Sequence, residues 1–179
     1  MKTFAAMMMV CLGMVCMADN MLVNGDMKTN KGWKIWGAVP KDPAIRGQIL
    51  TYVNEGPEGE RVLKFNDIAP EHNPYLIQHF PVSGITPAQK YKFEIEAKVP
   101  AGKRFRVSVQ MVGGKKYLGS IGETEFIGTG DWKEYKAIVT GLKAEATQLS
   151  TAIYPFCPAK SPADTGFILI KEVDFELAD

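Results

Sequence analysis

Apolar and polar side chains alternate along three stretches of the chain. At residues 91–99, Tyr, Phe, Ile, Ala and Val alternate with Lys and Glu, and residues 104–111 and 132–140 follow a similar pattern. A period of two residues places the apolar side chains on one face of a β-strand and the polar side chains on the other. The pattern therefore predicts three strands that each bury one face and expose the other.

Turn-forming residues separate these runs from further apolar segments. We predict additional strands near residues 45–53, 61–66, 75–80, 147–156 and 167–177. Gly and Pro lie between the segments, at residues 55–59, 100–102, 113–114 and 128–130. No stretch longer than about ten residues repeats its apolar positions with the period of a helix. Many short strands with turns between them predict an all-β protein that forms one β-sandwich domain.

The N-terminal segment does not follow this pattern. Lys2 is followed by an apolar run at residues 4–15, and small residues at 16 and 18 precede Asp19. A positive start, a short apolar run and small residues before a cleavage point are typical of a secretory signal peptide, and the run is too short to span a membrane. We predict a signal peptide at residues 1–18, a folded domain at residues 19–179, and a secreted protein in the extracellular space or periplasm. The alternative is a buried N-terminal helix.

Composition and charge exclude several classes of protein. Hydrophobic residues make up 46% of the chain, which argues against a largely disordered protein. Lys and Arg number 21 against 20 Asp and Glu, so the chain lacks the strong positive charge of a nucleic-acid-binding protein. Without residues 1–18, Cys157 is the remaining cysteine, and no disulfide can form within the domain. We expect Cys157 to be a small buried residue, the alternative being a reactive thiol.

Five segments resemble one family in the order in which they occur. Residues 22–27 (LVNGDM) and 32–37 (GWKIWG) look like the opening of carbohydrate-binding modules of the CBM4/9/16/22 type. Residues 85–98, 130–135 and 167–175 resemble the middle and last strands of these modules, although Gln89 stands where Gly is usual. The resemblance implies a galactose-binding-like β-jelly roll that binds sugar polymers without cleaving them.

Aromatic side chains are the first requirement of a sugar-binding site. Flat rings stack against the C–H faces of sugars, and they lose little side-chain entropy on binding. The candidates lie next to Gly or Pro, near the ends of predicted strands: Trp36, Tyr75, Tyr117 and Tyr154. We place Trp36 in a loop after the first strand, and for it the alternatives of ligand platform and core residue stay open. Trp33 and Trp132 stand where the family has structural tryptophans, and we expect both in the core.

Polar side chains that could reach sugar hydroxyls lie on the polar face of the predicted strands. Arg106 and Gln110 share one such face, and Glu96 could pair with Arg106 if residues 91–99 and 104–111 are neighbouring strands. The alternative is a solvated sheet face held by cross-strand ion pairs. Gln78 shares the register of two apolar residues, and a polar group at such a position requires a partner.

The resemblance also raises the question of a structural calcium ion. Modules of this group often hold calcium between the N-terminal segment and the last strand, and Asp26, Glu172 and Asp174 are the carboxylates available for it here. Lys171, however, stands where the family usually has its first Asp, and an ammonium group repels a cation. This substitution argues against calcium.

Residues for catalysis are not grouped in the sequence. Glu94 and Glu96 share one strand face, which does not make the acid and nucleophile of a glycosidase. His72 and His79 have no third metal ligand nearby. We therefore predict a binding protein without enzymatic activity, whose partner is a poly- or oligosaccharide and which could act beside a separate carbohydrate-active enzyme chain. The alternative is a structural or adhesion β-sandwich that binds a protein or surface matrix.

Overall fold

The computed structural model describes residues 20–67, 73–155 and 166–178. Its strands are β1 Trp33–Ala38, β2 Leu50–Val53, β3 Val62–Asp67, β4 Asn73–Pro81, β5 Tyr91–Lys98, β6 Arg104–Gly113, β7 Lys116–Ile127, β8 Trp132–Val139, β9 Gln148–Pro155 and β10 Gly166–Leu177. One helix of four residues, α1 Pro43–Arg46, lies between β1 and β2, and no helix of the described residues could span a membrane. The predicted signal peptide at residues 1–18, His72 and Cys157 lie outside the described residues.

The strands form two five-stranded antiparallel sheets. The sheet that we name the front sheet has the order β1-β4-β9-β6-β7, and the back sheet has the order β2-β3-β10-β5-β8. Consecutive strands therefore often lie in different sheets, as β5 and β6 do. This arrangement confirms the predicted all-β sandwich with a jelly-roll fold.

The core lies between the two sheets and is built from the apolar positions of the alternating runs. On β6, Phe105, Val107, Val109 and Met111 are buried, and on β5 the alternation of residues 91–99 buries Phe93 and Ile95 completely. Phe175 of β10 stacks on the Tyr91 ring with centroids 5.1 Å apart. The inward register predicted for residues 91–99 and 104–111 is confirmed.

Two strands were not predicted, and one predicted strand is shorter than expected. Residues 33–38 form β1, so Trp36 lies within a strand and the predicted loop position was wrong. Residues 116–127 form β7. The strand predicted near residues 45–53 begins only at Leu50, because Asp42 caps a helical turn: its carboxylate accepts a hydrogen bond of 2.8 Å from the Ala44 N–H.

The two tryptophans predicted in the core have different environments. Trp33 is buried, and its indole N–H donates to the Asn24 carbonyl oxygen at 3.3 Å. Trp132 shares the outward register of β8, opposite Lys98, whereas Tyr135 fills the inward register. The core prediction for Trp132 is therefore wrong. Trp132 lies three positions before Tyr135, and an odd spacing on a strand places two side chains on opposite faces.

The N-terminal segment is bonded to both sheets, and Gln78 holds it to the front sheet. Its side chain lies among core residues, where its Oε1 accepts from the Val23 N–H at 2.6 Å and its Nε2 donates to the Val23 carbonyl at 2.9 Å. The same segment bonds to β10, since the Val173 N–H donates to the Gly25 carbonyl at 2.8 Å. Gly25 is needed there, because a Cβ would collide with the Val173 carbonyl oxygen and the Asn20 amide. The buried amide thus has the partner that the sequence required.

Candidate functional site

The outer face of the front sheet carries the six residues predicted to bind carbohydrate. Strand registers place them there as follows: Trp36 on β1, Tyr75 on β4, Tyr154 on β9, Arg106 and Gln110 on β6, and Tyr117 on β7. Since Trp36 is opposite Tyr75 and Arg106 is opposite Tyr154, four of these side chains form a row across four neighbouring strands. Their part in binding stays a prediction, but the fold brings all six to one surface.

Tyr75 and Tyr154 form the centre of this surface. Their rings stack with centroids 4.6 Å apart, and Gln110 Nε2 donates to the Tyr154 hydroxyl at 3.2 Å. Burial raises the pKa of the Tyr75 hydroxyl, the neighbouring Tyr154 raises it further, and a hydrogen bond with Gln110 lowers it. The Tyr75 phenol is therefore neutral at physiological pH and can donate and accept hydrogen bonds.

Gly37 leaves room for this aromatic pair. Its φ is +90°, and a Cβ at this position would meet the Asn73 carbonyl oxygen and lie 3.0 Å from Cδ1 of Tyr75. A side chain here would be strained by the backbone conformation and would push against the Tyr75 ring. The glycine after Trp36 is therefore required for the observed position of Tyr75.

Trp36 is the most accessible tryptophan of the sheet. Its side chain is 55% exposed, and its ring meets the His79 ring nearly at right angles, with centroids 6.2 Å apart. His79 Nδ1 lies 2.6 Å from the hydroxyl oxygen of Ser150. Burial lowers the pKa of His79, and the positive charge of Lys34 lowers it further, so the imidazole is neutral at pH 7. The exposed Trp36 ring thus lies beside the polar side chains of His79 and Ser150, which are uncharged at pH 7.

Tyr117 lies at the opposite edge of the face. It is 58% exposed on β7, and its hydroxyl is 2.6 Å from the Ser120 hydroxyl. Four strand spacings separate β1 from β7, and Tyr117 also lies further along the sheet, opposite Val112 rather than Arg106. The exposed aromatic rings therefore mark the two margins of a broad surface.

Arg106 belongs to this face and does not pair with Glu96. Its guanidinium lies 4.6 Å from the Tyr154 ring centroid and 3.3 Å from the Glu123 carboxylate. Glu96 lies on the back sheet, where its carboxylate is 3.0 Å from Lys171 Nζ. The predicted Glu96–Arg106 pair is therefore wrong, because β5 and β6 are consecutive in the chain but belong to different sheets.

Comparison with known proteins identifies the family. The model of the family described as "Carbohydrate binding domain" matches residues 19–153. The chain belongs to this family, CBM4/9. No sequence among curated proteins matches the chain.

Solved structures share the fold of this carbohydrate-binding domain. The structure of "TmCBM61 in complex with beta-1,4-galactotriose" aligns with 90% of this chain and over 99% of its own length, at 18% identity and a TM-score of 0.52. A Stig cyclase from Fischerella sp. TAU aligns with 90% of this chain and over 98% of its own length, at 15% identity and a TM-score of 0.59. With the bacteriophage CBA120 tailspike protein 4, 89% of this chain matches 21% of that chain (12% identity, TM-score 0.62). At these identities the comparisons establish the jelly-roll fold, which serves both binding modules and enzymes.

The carboxylates considered for calcium do not form a centre among the described residues of this domain. Asp26 is exposed and lies 3.4 Å from Lys28 Nζ, and Glu172 is also exposed. The Asp174 carboxylate accepts a short hydrogen bond from the Asn20 amide. No group of three His, Cys, Asp or Glu side chains that could hold a metal occurs in the described part of the chain. The three carboxylates proposed for calcium therefore do not gather around one point in the part of the chain that the structure describes.

Three polar residues on the front face of the domain were not predicted from the sequence as part of the site: Lys34, His79 and Ser150. The alternation of β1 contains the signal for the first, because Trp33 and Ile35 pack inward and Lys34 must therefore point outward with Trp36. His79 follows Gln78, whose inward side chain requires its neighbour to face out. Ser150 lies opposite His79 on β9, a pairing that the sequence does not reveal.

Proposed function

We propose that the protein is a secreted, non-catalytic domain that binds poly- or oligosaccharide across its front sheet. The observation that carries this proposal is the exposed Trp36 ring next to the stacked Tyr75–Tyr154 pair on one sheet face. Trp36 provides a flat apolar platform for a sugar ring, and the two phenols offer donors and acceptors to its hydroxyl groups.

The polar groups between the aromatic rings support carbohydrate rather than a protein surface or matrix as the ligand. Gln110, Ser120 and His79 lie on the same face as Trp36 and Tyr117. A surface with alternating rings and hydrogen-bonding groups matches a sugar, which presents C–H faces and hydroxyls side by side. A contiguous apolar patch would instead favour a protein partner.

The charges on this face support binding without cleavage. The carboxylates of Glu123 and Glu125 are engaged in ion pairs with arginines of β6, whereas a glycosidase requires two carboxyl groups free to act on the scissile bond. His79 Nδ1 faces a serine hydroxyl, but no described hydrogen bond joins the imidazole to a carboxylate that would orient it as a base. Any cleavage of the polymer would then depend on a separate enzyme chain.

Affinity electrophoresis tests the proposal. The protein is run through gels that contain one of a panel of plant, algal and microbial polysaccharides, and retardation by one polymer class is expected. Trp36→Ala should abolish most of the retardation, with an affinity loss of about 1–3 kcal/mol, the range for truncation of an aromatic anchor. Trp132→Ala removes the same side chain from the outer face of the back sheet and serves as the control. Equal retardation of all three proteins would contradict the proposal, as would the absence of retardation across the panel.

A further inference from the structure

Among the described residues, one side of the front face carries a basic charge that no carboxylate of its own strands balances. The described residues of β1, β4 and β9 include Lys34 and His79 but no Asp or Glu. The carboxylates that β7 contributes to this face lie within 3.3 Å of arginines on β6. Among the described residues Lys34 makes no ion pair, so its charge is available to a ligand.

Lys34 lies where a ligand held by Trp36 would meet it. The two residues are two positions apart on β1 and point to the same face, and Lys34 is opposite Ile77 of β4. His79 is the diagonal neighbour of Lys34 on β4, and it is also the residue whose ring contacts Trp36. The stacking platform and the free ammonium group therefore belong to one small region at the β1 margin.

We propose that the front face binds a carbohydrate that carries anionic groups, carboxylate or sulfate, and that Lys34 contacts one of them while Trp36 stacks on a sugar ring. This inference rests on the proposed function and names the ligand class for the same surface. An exposed ion pair changes an affinity by up to about fivefold, so Lys34 determines ligand preference and the rings hold the sugar.

His79 gives this preference a dependence on pH. The groups that face its ring are Lys34 and Trp36 from β1 and Ser150 from β9, none of them acidic. Because burial and Lys34 lower its pKa, His79 is neutral at pH 7 and gains a positive charge only at lower pH. Carboxylates with ordinary pKa values of about 3.5 remain ionised at pH 5. A second positive charge therefore appears beside Lys34 while the ligand is still anionic.

Pairs of polymers that differ only in charge test the proposal. Polyuronates are compared with their carboxyl-reduced forms, and sulfated polysaccharides with their desulfated forms, by affinity electrophoresis and calorimetry. An anionic member of one pair should bind more tightly than its neutral form, and the pair that responds identifies the anionic group. Lys34→Gln should weaken binding of that anionic polymer about two- to fivefold and leave binding of the neutral form unchanged. Lys98→Gln, which removes an exposed lysine from the back sheet, should have no effect.

Acidification provides a second readout on the same polymer. Affinity should rise with falling pH as His79 takes up a proton, and His79→Gln should remove this rise. The inference is overturned if the neutral form binds as tightly as the anionic form, or if Lys34→Gln leaves the anionic affinity unchanged. Equally tight, Trp36-dependent binding of the anionic and the neutral forms would overturn this inference alone, whereas the absence of binding to every polymer would overturn the proposed function as well.

Discussion

Replacement of Gln78 by Glu tests how the N-terminal segment is held. The amide of Gln78 makes two hydrogen bonds to the main chain of Val23, and the side chain is 1% exposed. Gln78→Glu keeps the acceptor for the Val23 N–H but replaces the donor with an oxygen that faces the Val23 carbonyl. Burial raises the pKa of a carboxyl group, so the introduced glutamate takes up a proton at mildly acidic pH. The protonated carboxyl can then donate to the Val23 carbonyl.

The expected loss of stability follows from these two bonds. Each bond contributes about 1 kcal/mol, and an unpaired charge in the core costs more. At pH 8 we expect Gln78→Glu to lower the free energy of unfolding by about 3 kcal/mol, which corresponds to a melting temperature about 6–12 °C lower for a domain of this size. At pH 5 the loss should fall to about 1 kcal/mol, because the protonated carboxyl restores one donor.

Urea unfolding at the two pH values measures the difference. Gln48→Glu introduces the same change at an exposed position and corrects for the general effect of one added negative charge. If Gln78→Glu lowers the free energy of unfolding equally at pH 8 and pH 5, the missing donor is not the cause of the loss. If it has no effect at either pH, Gln78 does not hold the segment.

Three further results are expected. Burial, together with the charges of Glu172, Glu176 and Glu94, raises the pKa of Asp174 to about 6. The ionisation of Asp174 therefore opposes folding once the pH rises through that value. In urea unfolding, Asp174→Asn should raise the free energy of unfolding by about 1–2 kcal/mol at pH 8 and leave it unchanged at pH 3.5. Gly37→Ala should displace Tyr75 and so weaken sugar binding in calorimetry. Gly59 also has a positive φ, but a Cβ there meets open space, so Gly59→Ala should cost only about 1–2 kcal/mol of stability and leave sugar binding unchanged. Equal sugar affinities of the two variants would refute the role of Gly37. Chelation of calcium should not shift the melting temperature, because the candidate carboxylates do not form a centre; a drop of several degrees would show that other groups bind the ion.

Local alternation predicted the core of the sandwich because each strand buries one face. For residues 91–99 and 104–111 the period of two specified which side chains face inward, and burial confirms it. The same rule was enough to choose Gln110 and Arg106 as outward residues. The rule was not applied to β1. The loop expected at Trp36 rested on Gly37, Ala38 and Pro40, which follow it, although Trp33 and Ile35 alternate with Lys34 and Trp36.

Pairing between distant strands could not be predicted from alternation. Residues 91–99 and 104–111 are joined by a short turn, but β5 and β6 lie in different sheets, so Glu96 and Arg106 face opposite sides of the molecule. The contact of Gln110 with Tyr154 joins residues 44 positions apart, and that of Gln78 with Val23 joins residues 55 positions apart. A single sequence records which side chains need partners and does not record which distant strand supplies them.

The three tryptophan indole N–H signals in a ¹H–¹⁵N NMR spectrum test the central claim most directly. Trp36 lies on the front face, Trp33 is bonded in the core to the Asn24 carbonyl, and Trp132 lies on the back sheet. In a titration with an oligosaccharide of the polymer class that retards the protein, the Trp36 signal, assigned by its loss in Trp36→Phe, should shift progressively while the other two stay in place. Shifts at Trp132 with an unmoved Trp36 signal would contradict binding at the front face.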